Sequence, residues 1–215
     1  MCLEIIDLNK TIRGNKILEN INLKIDNGSI TAFYGKNGSG KTMLLRAISG
    51  LVKLSSGKII LNREEVTDNI IEKTNLGVLI ENPDFWNNYT GFENLKALSK
   101  IRNIIKDEDI ISTLEMVGLD PHDKRKVGTY SLGMKQKLGI AQAVMENPKI
   151  LILDEPTNAL DDESVENFRN ILINQKSKGT IILISSHNKE DIDSICDNRY
   201  KISNGNIEEI IYEKI

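Results

Sequence analysis

Short apolar runs with strand-like spacing open the chain. Residues 3–8 and 21–25 alternate or cluster apolar side chains over strand-sized lengths, a pattern typical of half-buried β-strands. The pair Asn27-Gly28 offers a turn with positive φ, so we expect it to join the second run to residues 29–34 as a hairpin. The pattern therefore predicts antiparallel β structure in this part of the chain.

The hydrophobic period then changes. A glycine-rich loop comes after Tyr34, residues 43–48 have helical spacing, and residues 58–61 form a further strand-like run. This is the order strand, loop, helix, strand. From Gly91 to about residue 145, apolar residues recur at helical intervals instead. We expect an α/β core interrupted by a helical insert.

Two later runs are apolar on both faces. Residues Ile150–Asp154 and residues 180–186 leave no polar face, as strands of a parallel sheet covered by helices require. Residues 161–177 have the spacing of a crossover helix, and Asn204-Gly205 is expected to close a last hairpin. The predicted fold class is α/β, with a mostly parallel sheet, an N-terminal antiparallel β subdomain and the helical insert.

No internal repeat, low-complexity tract or long linker divides the 215 residues. A single domain is therefore predicted over 1–215. Within it, we expect about 1–90 and 146–215 to form the α/β core with its β subdomain, and about 91–145 to form a helical subdomain. A chain of this length can bury a core without help from disulfides or metals.

Charge and cysteine usage argue against several functional classes. The net charge is −3 with no basic block, so we expect no nucleic-acid partner. Cys2 and Cys196 lie far apart without metal or redox spacing, and the only histidines are His122 and His187. We therefore expect reduced thiols and no metal cluster built from these residues.

The beginning of the sequence does not resemble a secretory signal. Glu4 and Asp7 stand where such a signal needs a basic start and an unbroken apolar stretch. No apolar run approaches the roughly eighteen residues that a membrane-spanning helix needs. We expect a cytoplasmic chain, so any membrane role would pass through a separate partner.

The glycine-rich loop matches the phosphate-binding pattern G-x-x-x-x-G-K-[ST]. Its glycines allow successive backbone N–H groups to point at phosphates, Lys41 would neutralise the β- and γ-phosphates, and Thr42 would ligate Mg²⁺. An ordinary flexible turn is the alternative, but the flanking strand and helix favour the phosphate site. The predicted nucleotide-binding residues here are Gly35, Lys36, Asn37, Gly38, Ser39, Gly40, Lys41 and Thr42.

Two carboxylates follow the first doubly apolar strand. Asp154 and Glu155 come at its C-terminal end, the edge where α/β sheets bind their ligands. Asp154 would hold the Mg²⁺ shell and Glu155 would polarise the attacking water. An acidic pair in this position is often only a helix N-cap, but together with the phosphate loop it indicates a P-loop ATPase.

Further motifs resemble the family of ABC ATPases over essentially the whole chain. Residues 155–161, EPTNALD, look like the stretch from Walker B into the D-loop, and Ser186-His187 looks like the switch histidine that contacts the γ-phosphate. Taken alone, His187 is more typical of a core or capping residue. The resemblance implies that His187 acts with Glu155 in hydrolysis.

Residues 130–134 of this sequence resemble the LSGGQ signature. Ser131 and Gly133 are retained, while Leu132 and Met134 replace the usual glycine and glutamine. Such a helix N-terminus presents backbone donors and a serine to phosphate. In the family the signature faces ATP held by the other subunit, so the resemblance implies a head-to-tail homodimer with ATP at the interface.

Two more positions depart from the family pattern. Glu81 stands where the Q-loop glutamine contacts Mg²⁺, and Ile12 stands where an aromatic ring commonly stacks on adenine. The resemblance implies that both contact the nucleotide and that Glu81 is a metal ligand. A carboxylate binds hard cations more strongly than an amide but repels phosphate. Ile12 is expected to bind the base less tightly or less selectively than an aromatic residue.

An aromatic cluster follows Glu81. Phe85, Trp86, Tyr89 and Phe92 either form an interaction surface, where a membrane subunit would dock in the family, or bury the helical insert against the core. Overall the pattern looks most like ATPases that export bacitracin and lantibiotics. The resemblance implies ATP and Mg²⁺ as cofactors, a separate transmembrane permease and a position on the inner face of the membrane. The alternatives are an assembly ATPase, such as one serving iron–sulfur clusters, and a plain P-loop kinase.

Overall fold

Two β-sheets and six α-helices make up most of the fold of the described part of the chain. The computed structural model describes residues 1–81, 83–188 and 193–210. The strands are β1 (Cys2–Ile12), β2 (Asn15–Asp26), β3 (Ile30–Tyr34), β4 (Ser56–Leu61), β5 (Glu64–Glu65), β6 (Leu76–Leu79), β7 (Ile150–Asp154), β8 (Ile181–Ser186), β9 (Asn198–Ser203) and β10 (Asn206–Glu209). The helices are α1 (Lys41–Ile48), α2 (Ile70–Lys73), α3 (Gly91–Ser99), α4 (Asp107–Met116), α5 (Leu132–Val144) and α6 (Asp162–Ser177).

The smaller sheet is antiparallel, with strand order β2-β1-β4-β5. The larger sheet has the order β10-β9-β3-β8-β7-β6, and all its pairs are parallel except β9 with β10. The predicted α/β class, with an antiparallel sheet near the start and a mostly parallel second sheet, is confirmed.

Alternation along the central strands divides the core in two. In β7, Ile150 and Ile152 join an apolar cluster with α1 and the antiparallel sheet. Leu151 and Leu153 join a second cluster with α3, α4, α5 and α6. Successive strand residues point to opposite faces, so a run that is apolar throughout is what a sheet covered on both sides needs. The larger sheet is therefore held between two apolar layers.

The predicted hairpin at Asn27-Gly28 is wrong. Gly28 does have a positive φ of 65°, but β2 pairs with β1, while β3 pairs with β8 and β9. All five residues of β3 are buried, so this strand belongs in the sheet that is covered on both faces. The turn passes the chain from one sheet to the other.

The hairpin of the small sheet is closed one strand earlier, by Arg13 and Gly14, whose φ values are 48° and 83°. Positive φ at both central residues is typical of a type I′ turn. At Asn204-Gly205 the predicted hairpin is confirmed: φ is 48° and 76°, and β9 pairs with β10. Both turns have the twist that antiparallel strands require.

The longest described helix, α6, has 16 residues. It begins after Asp161, whose side chain accepts a hydrogen bond from the backbone N–H of Ser164 at 2.9 Å, as an N-cap should. Among the described residues, no helix combines the length and the apolar character that crossing a bilayer demands.

Candidate functional site

The phosphate loop joins the buried strand β3 to helix α1. Gly38 and Gly40 have φ of 79° and 112°, a left-handed conformation that strains residues with a Cβ atom. Gly40 is also the N-cap of α1 and has no side chain to satisfy the first N–H groups of the helix. These groups have no intrahelical partner, so they are available to an anion.

Two polar side chains of this loop lie beneath its surface. The hydroxyl of Ser39 is buried and has no hydrogen-bond partner among the described residues, although buried polar groups are normally paired. Lys41 is 5% exposed, and its Nζ donates to the carbonyl oxygen of Gly35 at 2.7 Å. A bound phosphate would supply an acceptor for Ser39 and a counter-charge for Lys41, so the loop fits a nucleotide.

Asp154 is fixed by hydroxyl groups from two directions. Its Oδ2 accepts a hydrogen bond from Thr42 Oγ1 at 2.7 Å, and its Oδ1 accepts one from Ser185 Oγ. The sequence interpretation missed Ser185. The parallel register places it beside Asp154, and a serine at the end of a doubly apolar strand was the available signal. Asp154 and Thr42 together present the oxygen ligands that Mg²⁺ prefers.

The magnesium site would need the nucleotide to be complete. No group of three or more His, Cys, Asp or Glu side chains suited to a metal occurs among residues 1–81, 83–188 and 193–210. Mg²⁺ is usually bound by one or two protein ligands together with substrate phosphates and water. The small donor set around Asp154 therefore fits Mg²⁺ carried by a nucleotide, rather than a metal held by protein alone.

Glu155 lies between two basic side chains. Its Oε1 is 3.3 Å from Lys41 Nζ, and its Oε2 is 2.7 Å from His187 Nδ1 and accepts the backbone N–H of His187 at 3.0 Å. The backbone of Glu155 has a φ of 48°, and its N–H donates to the carbonyl and hydroxyl oxygens of Ser185 at 3.2 and 3.1 Å. The predicted acid and the predicted switch histidine therefore meet beside the loop.

Two clefts flank the phosphate loop. The larger, about 1010 Å³, is lined by loop residues 34–39 together with Glu155 and His187. The smaller, about 400 Å³, is lined by Lys41, Thr42, Glu155 and Glu81 among others. Ligand pockets commonly span about 300–1,000 Å³, so these two clefts can hold a nucleotide.

Ile12 lies outside both clefts. It ends β1 and is 39% exposed. The aliphatic residue that lines the smaller cleft is Ile17, on β2, which the sequence interpretation did not single out. A role for Ile12 in holding the base stays a prediction.

Glu81 projects toward the smaller cleft and has a charged partner. Its carboxylate lies 2.8 Å from Arg46 of α1, and both residues line that cleft. The backbone of Glu81 has a φ of 61°, an uncommon conformation for a residue with a Cβ atom. Arg46 was not predicted, although its place five residues after Lys41 on the loop helix was a usable signal.

The signature residues lie apart from these clefts. Ser131 is the N-cap of α5 and accepts the backbone N–H of Met134 at 3.2 Å. Ser131 and Leu132 are exposed, and neither lines either cleft, nor does Gly133. The chain thus holds one phosphate loop and one signature that do not face each other in a shared pocket.

The aromatic cluster after Glu81 splits between core and surface. Phe85 is 8% exposed and belongs to the core, and Phe92 packs against the same core. Trp86 and Tyr89 are 52% and 48% exposed, and their ring centroids lie 6.0 Å apart. Phe85 and Phe92 therefore fit the alternative of burial against the core, and Trp86 and Tyr89 fit the alternative of an interaction surface.

Partly buried polar side chains contact Tyr34, the residue just before the loop. The hydroxyl of Tyr34, the last residue of β3, donates to Asp193 Oδ1 at 3.3 Å, and Arg199 Nε donates to the same oxygen at 2.7 Å. Burial raises the pKa of Tyr34 and raises that of Cys196 to about 12. Both groups therefore stay neutral at physiological pH.

Comparison with known proteins identifies relatives of this chain. A family model described as ABC transporter matches residues 18–158. The Bacillus subtilis protein YybJ, described as an uncharacterized ABC transporter ATP-binding protein, is 44% identical over 215 residues, covering 99% of each chain.

Two relatives have more specific descriptions. SrtF of Streptococcus pyogenes, a lantibiotic transport ATP-binding protein, is 38% identical over 91% of this chain and 84% of its own. BcrA of Bacillus licheniformis, a bacitracin transport ATP-binding protein, is 39% identical over 97% of this chain and 69% of its own. The solved structure of an ATP-binding subunit of an ABC transporter has a TM-score of 0.88 at 26% identity, covering 98% of this chain and 90% of that one.

Proposed function

The chain belongs to the ABC transporter family as its ATP-binding and ATP-hydrolysing subunit, and from this premise we propose that it powers export of, or immunity to, an antimicrobial peptide. Similarity to SrtF over most of both chains carries the proposal, and similarity to BcrA supports it. The relatives are described as transport proteins, which favours transport over an assembly ATPase.

Nucleotide binding would exchange one anion for another at Lys41. In the structure the Glu155 carboxylate lies beside Lys41 Nζ at 3.3 Å. The β- and γ-phosphates would take over this lysine, while Thr42 and Asp154 would hold Mg²⁺. Glu155, still next to His187, would then be free to accept a proton from the attacking water. Magnesium, when bound, would neutralise charge on the phosphates.

A homodimer would complete each site. Ser131 and Leu132 are exposed at the N-terminus of α5, away from the clefts that the phosphate loop borders. A helix N-terminus binds phosphate through free N–H groups, so the signature is suited to ATP held by a second copy of the chain. Each ATP would lie between the loop of one subunit and the signature of the other.

Trp86 and Tyr89 would contact a separate membrane permease on the inner face of the membrane. Exposed neighbouring aromatics are uncommon on a free surface and common at interfaces. They are separated by only a few residues from Glu81, which borders the smaller cleft. Closure of the dimer around ATP would thus move the residues between Glu81 and Tyr89, and this movement would be transmitted to the permease.

A resistance assay in the source organism tests the transport proposal. Deleting the gene should increase sensitivity to bacitracin or to a lantibiotic, and the native gene should restore resistance. A Trp86→Ser gene should fail to restore resistance even though the purified variant hydrolyses ATP. Unchanged sensitivity to both peptide classes after deletion would refute the proposed substrate class.

The Arg46–Glu81 pair yields a separate prediction on ATP binding. Arg46→Gln should raise the KM for Mg-ATP several-fold, because it leaves the Glu81 carboxylate uncompensated beside the phosphates. Adding Glu81→Gln should restore the KM. The two side chains are 35% and 58% exposed, so the pair contributes only about 0–1 kcal/mol to folding, and the melting temperature should hardly move.

The matched control for this pair is Lys73→Gln, which breaks the exposed Lys73–Glu64 ion pair; neither residue lines either cleft. It should change neither KM nor stability. Equal KM values in the native protein, Arg46→Gln and the double variant would remove any role of this charge pair in nucleotide binding.

A further inference from the structure

A buried glutamine on α5 holds the loop that follows β7. Gln136 is 5% exposed, and its Nε2 donates to the carbonyl oxygen of Pro156 at 3.0 Å and to that of Glu155 at 3.4 Å. A carboxamide nitrogen carries two donors, so this one side chain holds two consecutive carbonyl groups. Ser185 holds the other side of the same residue through the Glu155 N–H. The main chain of Glu155 is therefore fixed on both sides.

A second contact joins α5 to the far end of this loop. A Cβ atom at Gly133 would lie 2.7 Å from the carbonyl oxygen of Ala159, closer than any side chain tolerates. Ala159 has a φ of 64°, which is uncommon for a residue other than glycine. The first two turns of α5 thus contact the loop at one end through Gly133 and at the other through Gln136. The helix and the loop form one packed unit.

The same helix presents the exposed signature. Ser131 caps α5, and Gln136 lies five residues later, little more than one helical turn away. A displacement of the capped end would be transmitted along so short a helical segment to the Glu155 carbonyl. The structure therefore links the signature surface of the chain to the acid in its own phosphate site.

We infer that Gln136 is a positioning residue that couples the signature to Glu155, so that hydrolysis in one site depends on whether the signature is engaged by the ATP of the partner subunit. The inference rests on the dimer proposed above. Gln136 does not touch the nucleotide; it sets the backbone from which the Glu155 carboxylate reaches Lys41 and His187.

The test compares three variants by steady-state ATPase assays over a range of ATP concentrations. Gln136→Met keeps the length of the side chain and removes both donors, whereas Gln136→Glu keeps nearly the same volume and turns an oxygen toward the two carbonyl groups. Gln142→Met is the matched control, since Gln142 is a half-buried glutamine of the same helix.

Both Gln136 variants should lower kcat by about 10- to 100-fold, because a misplaced catalytic group is costly even when it remains present. The affinity for a fluorescent ATP analogue should stay within about twofold of the native value. The Hill coefficient for ATP should fall from above 1 to 1, as expected when coupling between two sites is lost. Gln142→Met should leave all three quantities unchanged.

Two results would overturn the inference. Either Gln136 variant with native kcat and native Hill coefficient would show that the tether does not position Glu155. A parallel loss of ATP affinity and kcat in both variants would assign Gln136 to general packing of the site. The dimer itself is measured separately, by light scattering of Glu155→Gln with native Gln136 under Mg-ATP; a persistent monomer there would refute the proposed dimer, and with it the coupling between subunits.

Discussion

Glu155→Gln should reduce ATP turnover by about 10²- to 10⁴-fold, the usual contribution of a general base, while ATP binding persists or becomes tighter. Glutamine keeps the shape of the side chain but cannot accept the proton of the attacking water. It also removes the negative charge 3.3 Å from Lys41 Nζ, so the lysine becomes fully available to phosphate. Trapped ATP should then shift the protein from monomer to dimer in size-exclusion chromatography.

Glu163→Gln is the control for this experiment. Glu163 is exposed in the first turn of α6. Its substitution by glutamine removes the same charge, and Glu163 does not contact the phosphate loop. Its turnover and its size distribution should match those of the native protein. Undiminished hydrolysis by Glu155→Gln would exclude Glu155 as the base, and a monomer under saturating Mg-ATP would contradict an ATP-bridged dimer.

The phosphate loop and its acidic partners were predictable because their chemistry is local in sequence. Eight consecutive residues carry the pattern from Gly35 to Thr42, and the acids follow a strand that is apolar on both faces. The parallel register of β7 and β8 then places Asp154 beside Ser185. Ser185 is the residue before Ser186, where β8 ends. Local sequence patterns were therefore enough to predict the residues that lie at the ends of adjacent parallel strands.

The hairpin error shows the limit of turn chemistry. Asn27-Gly28 does form a turn, but a turn does not decide which strands pair. β3 follows β2 directly in the sequence, but all five of its residues are buried. The need to bury both faces of β3 therefore decides which strands it pairs with. Pairing follows from which faces of a strand must be covered, and that depends on residues far away in the chain.

Side-chain pairs across long sequence separations could not be read from the chain. Arg46 and Glu81 meet only because α1 and the segment after β6 border one cleft. Gln136 reaches the carbonyl group of Pro156 only because α5 packs against the loop after β7. In both cases the sequence contains a polar residue on a helix, and only the fold identifies its partner.

Lys41→Met should weaken ATP binding by at least roughly 30-fold and reduce hydrolysis to background. Lys41 is 5% exposed, so its charge would act on bound phosphates with little screening by water. Removing one partner of a buried charge pair costs about 2–5 kcal/mol, and about 2 kcal/mol already corresponds to this loss. Methionine is unbranched and flexible, so it fills the space of the lysine stem and the phosphate loop should keep its structure.

Titration with a fluorescent ATP analogue measures this effect, and Lys149→Met serves as the control. Lys149 is exposed immediately before β7, so its removal changes the net charge equally without approaching the phosphate loop. ATP affinity within about threefold of the native value in Lys41→Met would contradict the assignment, since it would mean that the buried ammonium group serves Gly35 and Glu155 alone. If Lys41→Met and Glu155→Gln behave as expected, the two residues have different roles in one site. Lys41 binds the phosphates, whereas Glu155 loses its contact with Lys41 when ATP binds and then accepts a proton from the attacking water.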